Sequence, residues 1–422
     1  MKNNKVVKNA SWIIGCRIAQ AGFALLINMM TARYLGPSNY GILSYVSSMV
    51  QFVTPLMYLG INHVLVSEIV KYPDDEGKIL GTSIVVTFFS AIFCIMGLLG
   101  FVIGFNPGER DLIIVSALYS LLLIAQSIEL VQYWFQAKLL SKYVSLITLG
   151  AYLVVSTYKI WLLVTSKSIH WFAISNAFDY VLIGALLIAV YKTKKGQKFE
   201  FSYHIAKRIL KQSWHYILPG MLGIILAQSD RIMLKNMQGN EAVGIYSAAY
   251  SIAGLSSFVF AAIIDSMKPE ILSNKVKNEE KYKINVSKVF RIITYLSLLQ
   301  CVCICFFSEL IVWLMYGEAY LESVSVLKII VWYTAFSYVG AVRSLWILAE
   351  EKQKYLWMVS FGGVIVNVGL NLVMIKVFGV CGAAVATLIT QIFSNFLINY
   401  LIKPLREVNC LFLKGLIPRK LG

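Results

Sequence analysis

The chain has 422 residues, 58% of them apolar and only 14% charged, with a formal net charge of +17. Soluble domains run at roughly 45–50% apolar and 25% charged, so this balance and a mean hydropathy of +0.71 exclude a single soluble core. A net charge of this size suits nucleic acid or a membrane surface, and the positions of the basic residues decide between them.

A helix needs about 20 apolar residues to cross about 30 Å of hydrocarbon. Twelve such runs follow in chain order: 11–32, 41–62, 79–105, 112–133, 144–165, 170–191, 214–236, 242–266, 289–315, 324–349, 355–376 and 378–402. The first is too long for the apolar region of a cleavable signal, and no small-x-small site follows it. The runs are continuous rather than alternating, which argues against barrel strands. The expected fold is an all-α membrane protein of about 12 transmembrane helices in two parallel six-helix lobes around a central cleft. The lobes are 1–191 and 214–402. Between them lies a linker, 192–213, in which Tyr203–Ser213 reads as a basic amphipathic helix on the inner surface; a tail, 403–422, ends the chain.

With the N-terminus cytoplasmic, the inner segments collect 28 Lys and Arg, and the outer loops hold only Arg33, Arg110, Lys167, Lys235 and Lys376. That asymmetry predicts both termini inside and an even number of spans. The positive charge is then a rim facing anionic lipid head groups, not a nucleic-acid surface. The outer loops are too short to build the external domain of a membrane polymerase or ligase. The spacing Cys301-x-Cys303-x-Cys305 scatters its thiols around a helix, and no His lies near to complete a metal site. No P-loop, HExxH or nucleophile–base pattern occurs, so neither cofactor nor enzymatic activity is expected.

The stretch Gly36-Pro-Ser-Asn-Tyr-Gly41-Ile-Leu-Ser44 recurs as Gly239-Asn-Glu-Ala-Val-Gly244-Ile-Tyr-Ser247. Each copy lies between the first and second helix of its half. Six spans per half is an even number, so the halves point the same way across the bilayer as parallel repeats. Two such lobes can rock to expose a central site to each side in turn.

Thr31-Ala-Arg-Tyr-Leu-Gly-Pro-Ser-Asn-Tyr-Gly41, Gln132-Tyr-Trp-Phe-Gln136, Pro219 with Asp230-Arg-Ile-Met-Leu234, Gly244-Ile-Tyr-Ser-Ala-Ala-Tyr250, Tyr316-Gly-Glu-Ala-Tyr320 and Gly379-Val-Cys-Gly-Ala-Ala-Val-Ala386 follow in this order. Together they resemble the polysaccharide transporter family, whose Wzx-type members flip O-antigen and capsule units. It lies within the multidrug/oligosaccharidyl-lipid/polysaccharide exporter superfamily. The resemblance covers nearly the whole chain. It implies translocation of undecaprenyl-diphosphate-linked oligosaccharide from the inner to the outer leaflet of a bacterial cytoplasmic membrane. It also implies coupling to an ion gradient, H⁺ or Na⁺, and polysaccharide assembly proteins as possible partners.

An ionisable residue within a span costs about 2.5–3.5 kcal/mol unless paired or wet, so each is a site candidate. Arg17, Gln20 and Asn28 form a polar stripe on the first helix at helical spacing. The resemblance puts the first and seventh helices at the cleft, where Arg17 and Arg231 would be forks for the cargo's diphosphate. Snorkelling of Arg17 and pairing of Arg231 with Asp230 are the plain alternatives. Arg343 in the tenth helix could meet phosphate or pair with Glu350. Gln126, Glu129, Tyr133 and Gln136 are expected to share one face of the fourth helix as a polar entry path. Asp230, Asp179 and Glu129 are candidate carboxylates for the coupling ion, although Asp179 could simply neutralise Lys159. Asn367 and Asn371 read as helix–helix glue. Competing functions are a multidrug exporter of the same superfamily, a polysaccharide polymerase or ligase, and a non-catalytic scaffold for envelope assembly.

Overall fold

In a computed structural model of the protein, the backbone of residues 2–416 and the side chains of Gln20 and residues 22–416 are described. Every regular element among them is helical. Ten stretches of the described residues are long and apolar enough to cross a membrane, and the protein is a multi-pass membrane protein. The difference from the twelve expected runs arises in the two longest stretches, Gly22–Lys71 and Gln353–Leu401, each of which takes in all or part of two of those runs. Both are broken by a glycine: Gly36 at φ 72°, ψ 170°, and Gly379 at φ 56°, ψ −133°. Positive φ is readily open to glycine, which lacks the Cβ that penalises it elsewhere. These two residues end one helix and begin the next with no loop between.

The chain clusters into two compact units. One holds Ile42–Ile224 with the chain before Gly36, and the other holds Gly36–Gly41 with the chain from Ile225 onward. In the first, α1 (Lys2–Tyr58, apart from Gly36–Gly41) is followed by α2 (Ile61–Lys71) and α3 (Glu76–Phe105), and then by α4 (Arg110–Glu129) and α5 (Gln132–Ala137). The helices α6 (Ser141–Val164), α7 (Ile169–Thr193) and α8 (Tyr203–Ser213) complete it. Asn106-Pro107-Gly108, a run of strong turn formers, stops α3, with Gly108 at φ 92°. Leu65, Ile79, Leu80, Phe135 and Leu187 form the core near α2 and α3.

The segment before α8 is bound to this core. Gly77 and Gly81 leave room on α3 for the backbone of Lys198 and Glu200, which a Cβ on either glycine would strike. Gln197 Oε1 accepts from the Gly77 amide at 3.0 Å, and Gln197 Nε2 donates to the Pro73 carbonyl at 3.0 Å. The Ser202 amide donates to Thr82 Oγ1 at 2.9 Å. Ile205 and Ile209 then place the apolar stripe of α8 in the core, and Arg208 meets the buried Glu68 at 3.0 Å. The amphipathic helix therefore spends its apolar face on protein.

In the second unit, α9 (Ile217–Gln238, from Ile225 onward) leads to α10 (Asn240–Ala253), α11 (Ser257–Lys277) and α12 (Glu279–Phe306). After these come α13 (Ser308–Tyr316), α14 (Ser323–Ala349), α15 (Leu356–Ile392), α16 (Ile398–Leu401) and α17 (Arg406–Leu416). A π turn at Phe393–Leu397 joins α15 to α16. Asn278 caps α12 by accepting from the Lys281 amide at 2.9 Å, and Glu279 and Glu280 suit the positive end of that helix. The core packs Trp346 and Val342 of α14 against Phe290, Val359 and Ile398. Arg291 fastens α17 to α12 through the Gly415 carbonyl at 2.7 Å.

Gly239 takes φ 91°, ψ −174°, close to the conformation of Gly36 203 positions earlier. The two copies of the repeat thus share a backbone break as well as a sequence pattern.

Candidate functional site

The second unit buries one carboxylate in a cage of oxygen and amide groups. Asp230, on α9, is 3% exposed. Its Oδ2 accepts from the Tyr246 hydroxyl of α10 at 2.5 Å and from the Thr387 hydroxyl at 2.5 Å. Its Oδ1 accepts from Asn371 Nδ2 at 2.7 Å and Asn367 Nδ2 at 3.2 Å. Asn367 and Asn371 are four residues apart and so share one face of α15, while Thr387 returns from beyond the break at Gly379. The glycine break thus brings both arms of α15 to one carboxylate. The short O–H···O distances are those of hydroxyls donating to a charged acceptor.

Four donors offset much of the cost of burying this charge, and the surplus is in acceptors. Asn371 Oδ1 is buried without a partner. Asn367 Oδ1 accepts from Ser229 at 2.6 Å. Carboxylate, amide and hydroxyl oxygens gathered in this way suit a hard cation or a proton, and hydroxyls can rotate to offer lone pairs instead of hydrogens.

Arg231 does not pair with Asp230. Successive helical residues point about 100° apart, so its guanidinium turns away. Nε donates to Ser247 Oγ at 3.0 Å and NH1 to Gln228 Oε1 at 2.9 Å. The group lies over the Tyr250 ring, 4.5 Å from its centroid, and Tyr250 stacks on Tyr333. It is a half-buried cation on an aromatic platform.

The first unit places the other candidates differently. Lys159 Nζ donates to Asn176 Oδ1 at 3.2 Å and reaches Asp179 only through electrostatic attraction. Asp179 Oδ1 is buried without a hydrogen-bond partner. Glu129 and Asp179 repel one another as like charges. Gln126, Glu129, Tyr133 and Gln136 follow one another along a helical path, since Leu130 and Val131 between α4 and α5 keep helical φ and ψ; Gln126 is buried and Gln136 is exposed. Gln20 is half-buried and Asn28 is exposed. The Arg17 side chain lies outside the described residues. Arg343 is 7% exposed and does not meet Glu350, which pairs with Lys275 at 2.5 Å.

Sequence reasoning singled out Asp230 but missed Tyr246 and Thr387. Both stand inside motifs noted for other reasons, the repeat around Gly244 and the segment after Gly379. Asn367 and Asn371 were noticed as a pair, and their partner was not.

A family described as "Polysaccharide biosynthesis protein" matches residues 6–273. The capsular polysaccharide biosynthesis protein CapF of Staphylococcus aureus is 23% identical over 401 residues, covering 92% of this chain and 96% of its own. Among solved structures, an inward-facing multidrug resistance MATE family transporter of the MOP superfamily superposes with TM-score 0.74 at 13% identity, covering 93% of this chain and 95% of that one. The lipid II flippase MurJ, in an inward closed conformation, superposes with TM-score 0.73 at 14% identity, covering 96% and 90%. At such identities the likeness is one of fold.

Proposed function

The chain belongs to the polysaccharide biosynthesis protein family, and from that premise we propose that it is a flippase for a lipid-linked oligosaccharide. In this reading, undecaprenyl-diphosphate-linked repeat units pass from the inner to the outer leaflet by alternating access. Arg231, on its tyrosine platform, offers a permanent charge to the diphosphate, together with Arg17, Gln20, Asn28 and Glu129. The setting is the cytoplasmic membrane of a bacterium, with both termini inside. The chain performs no chemistry on its cargo.

Energy comes from a cation, Na⁺ or H⁺, taken up at Asp230. The observation that carries this part is the buried carboxylate with its convergent oxygens and the partnerless Asn371 Oδ1. Asp179, with one buried oxygen lacking a hydrogen bond, is a second candidate for protonation. Export of drugs is the competing reading, and the aromatic platform of Tyr246, Tyr250 and Tyr333 gives it support. The two separate on cargo. Proteoliposomes should flip a fluorescent lipid-diphosphate oligosaccharide under an imposed Na⁺ or H⁺ gradient and should not move a cationic dye. Movement of the dye alone refutes the flippase reading.

A further inference from the structure

Arg343 stands six residues before the end of α14, about 9 Å along the helix at 1.5 Å per residue. It is 7% exposed, and its neighbours in sequence Val339, Val342, Leu345 and Trp346 belong to the apolar core. A guanidinium does not lose its charge in a protein, and a charge taken out of water is costly unless something compensates it. Glu350 is engaged by Lys275 at 2.5 Å and by Lys352 at 4.0 Å. Arg343 NH1 donates to the carbonyl of Ser394 instead, while Nε is buried with no partner.

The surroundings are short of acceptors. Ser394 belongs to the π turn Phe393–Leu397, a distortion found often at functional sites. Its hydroxyl is buried without a partner and lies against Gly363, where a Cβ would strike it. One turn along α14, the indole N–H of Trp346 is buried without an acceptor. One acceptor is also unused, Asn399 Oδ1, on a side chain whose amide nitrogen serves Asn395 and Asn409. The balance is a fixed positive charge and three unused donors, with no carboxylate paired to them among the described residues.

We propose that Arg343, Ser394 and Trp346 form an anion site within the second unit that takes one phosphate-type oxyanion. A guanidinium fork matches two phosphate oxygens, and the serine hydroxyl and indole N–H suit others. The site shares no residue with the cage around Asp230. Its place in transport rests on the flippase reading, in which the cargo's diphosphate is one source of the oxyanion and free phosphate the other.

The test is thermal unfolding of the full-length protein in detergent, with geranyl diphosphate as the probe and inorganic phosphate in parallel at matched ionic strength. The wild-type midpoint should rise with the probe. Arg343→Gln should shrink the rise, leaving only the part that Arg231 supplies. Arg343→Lys and Ser394→Ala should each weaken apparent affinity by about tenfold, as expected when a charge-assisted hydrogen bond worth about 1.4 kcal/mol is lost. Ser394→Ala removes a hydroxyl that has no partner, so it keeps the test valid if the Arg343 variants fail to fold. An equal response to inorganic phosphate supports a free-anion site, and a response to the prenyl diphosphate alone supports a lipid-linked one. Absence of a wild-type shift, or a shift unchanged by Arg343→Gln and Ser394→Ala, overturns the proposal. Asp230→Asn should keep the shift, so failure of ion-driven flipping and failure of this site are read separately.

Discussion

Gly41 and Gly244 each sit against a backbone carbonyl of the other's repeat copy: a Cβ on Gly41 would strike the Asn240 carbonyl, and one on Gly244 the Pro37 carbonyl. Pro37 and Asn240 are themselves equivalent positions, 203 residues apart like the two glycines. The contact is therefore reciprocal between equivalent positions of the two copies. Adding a methyl to a filled site of this kind costs about 1–3 kcal/mol, with backbone having to move. Gly41→Ala and Gly244→Ala should lower the thermal midpoint in detergent by similar amounts. Because the two sites share one contact, the double variant should lose less than the sum. Gly97→Ala, where nothing lies within 4 Å of a Cβ, should be neutral or slightly stabilising.

The segment between α7 and α8 should resist proteolysis on one side of Gly196 only. Lys195 is exposed with φ 58°, whereas the backbone after it is seated on Gly77 and Gly81. Trypsin should cut at Lys194 and Lys195 well before Lys198. Gly81→Val should unseat this segment and raise cleavage at Lys198 several-fold; unchanged cleavage would mean the segment does not depend on that groove.

Orientation is open to direct labelling. Single cysteines at Ser38 and Lys194, both exposed, in a cysteine-free background should react with a membrane-impermeant maleimide from opposite sides. With the termini placed inside, 28 basic residues fall on the inner side and 5 on the outer, which predicts Lys194 inside. Labelling of both from outside would break that topology.

Much of the fold was legible because membrane spans are long, continuous and apolar, and because glycines at equivalent places in two halves advertise a duplication. Gly36 lies between the runs 11–32 and 41–62, and Gly379 at the start of 378–402, so the places of the breaks were legible and their form was not. Positive φ at a single residue lets one helix follow another without the polar loop that sequence reasoning counts. Asp230 was legible as a charge in a span, since such charges need a reason. Its donors were not, because Tyr246 of α10 and Asn367, Asn371 and Thr387 on the two arms of α15 meet Asp230 of α9 only through packing. Glu350 was offered to Arg343 by closeness in sequence, and Lys275 took it from α11, 75 positions away.

The hydroxyls that hold Asp230 give a graded test of its role. Hydrogen bonds to a charged group are worth about 1.5–3 kcal/mol, so Tyr246→Phe and Thr387→Val should each weaken ion dependence by about ten- to a hundredfold. Both bonds measure 2.5 Å, so neither effect should be negligible. Apparent ion affinity, measured as the cation concentration giving half-maximal flipping, reads them out. Equal affinity in both variants would remove Asp230 from the coupling site.

Ion coupling at Asp230 is tested by comparing wild type and Asp230→Asn in proteoliposomes loaded with fluorescent lipid-diphosphate oligosaccharide. A Na⁺ gradient and an H⁺ gradient are imposed in separate runs, and flipping is followed by quenching of outward-exposed label. Asparagine keeps the size of the side chain and removes its charge. One gradient should drive flipping by the wild type, and the Asp230→Asn variant, equally inserted, should flip no faster with the gradient than without it. Gradient-driven flipping at the wild-type rate by the variant would contradict coupling at Asp230.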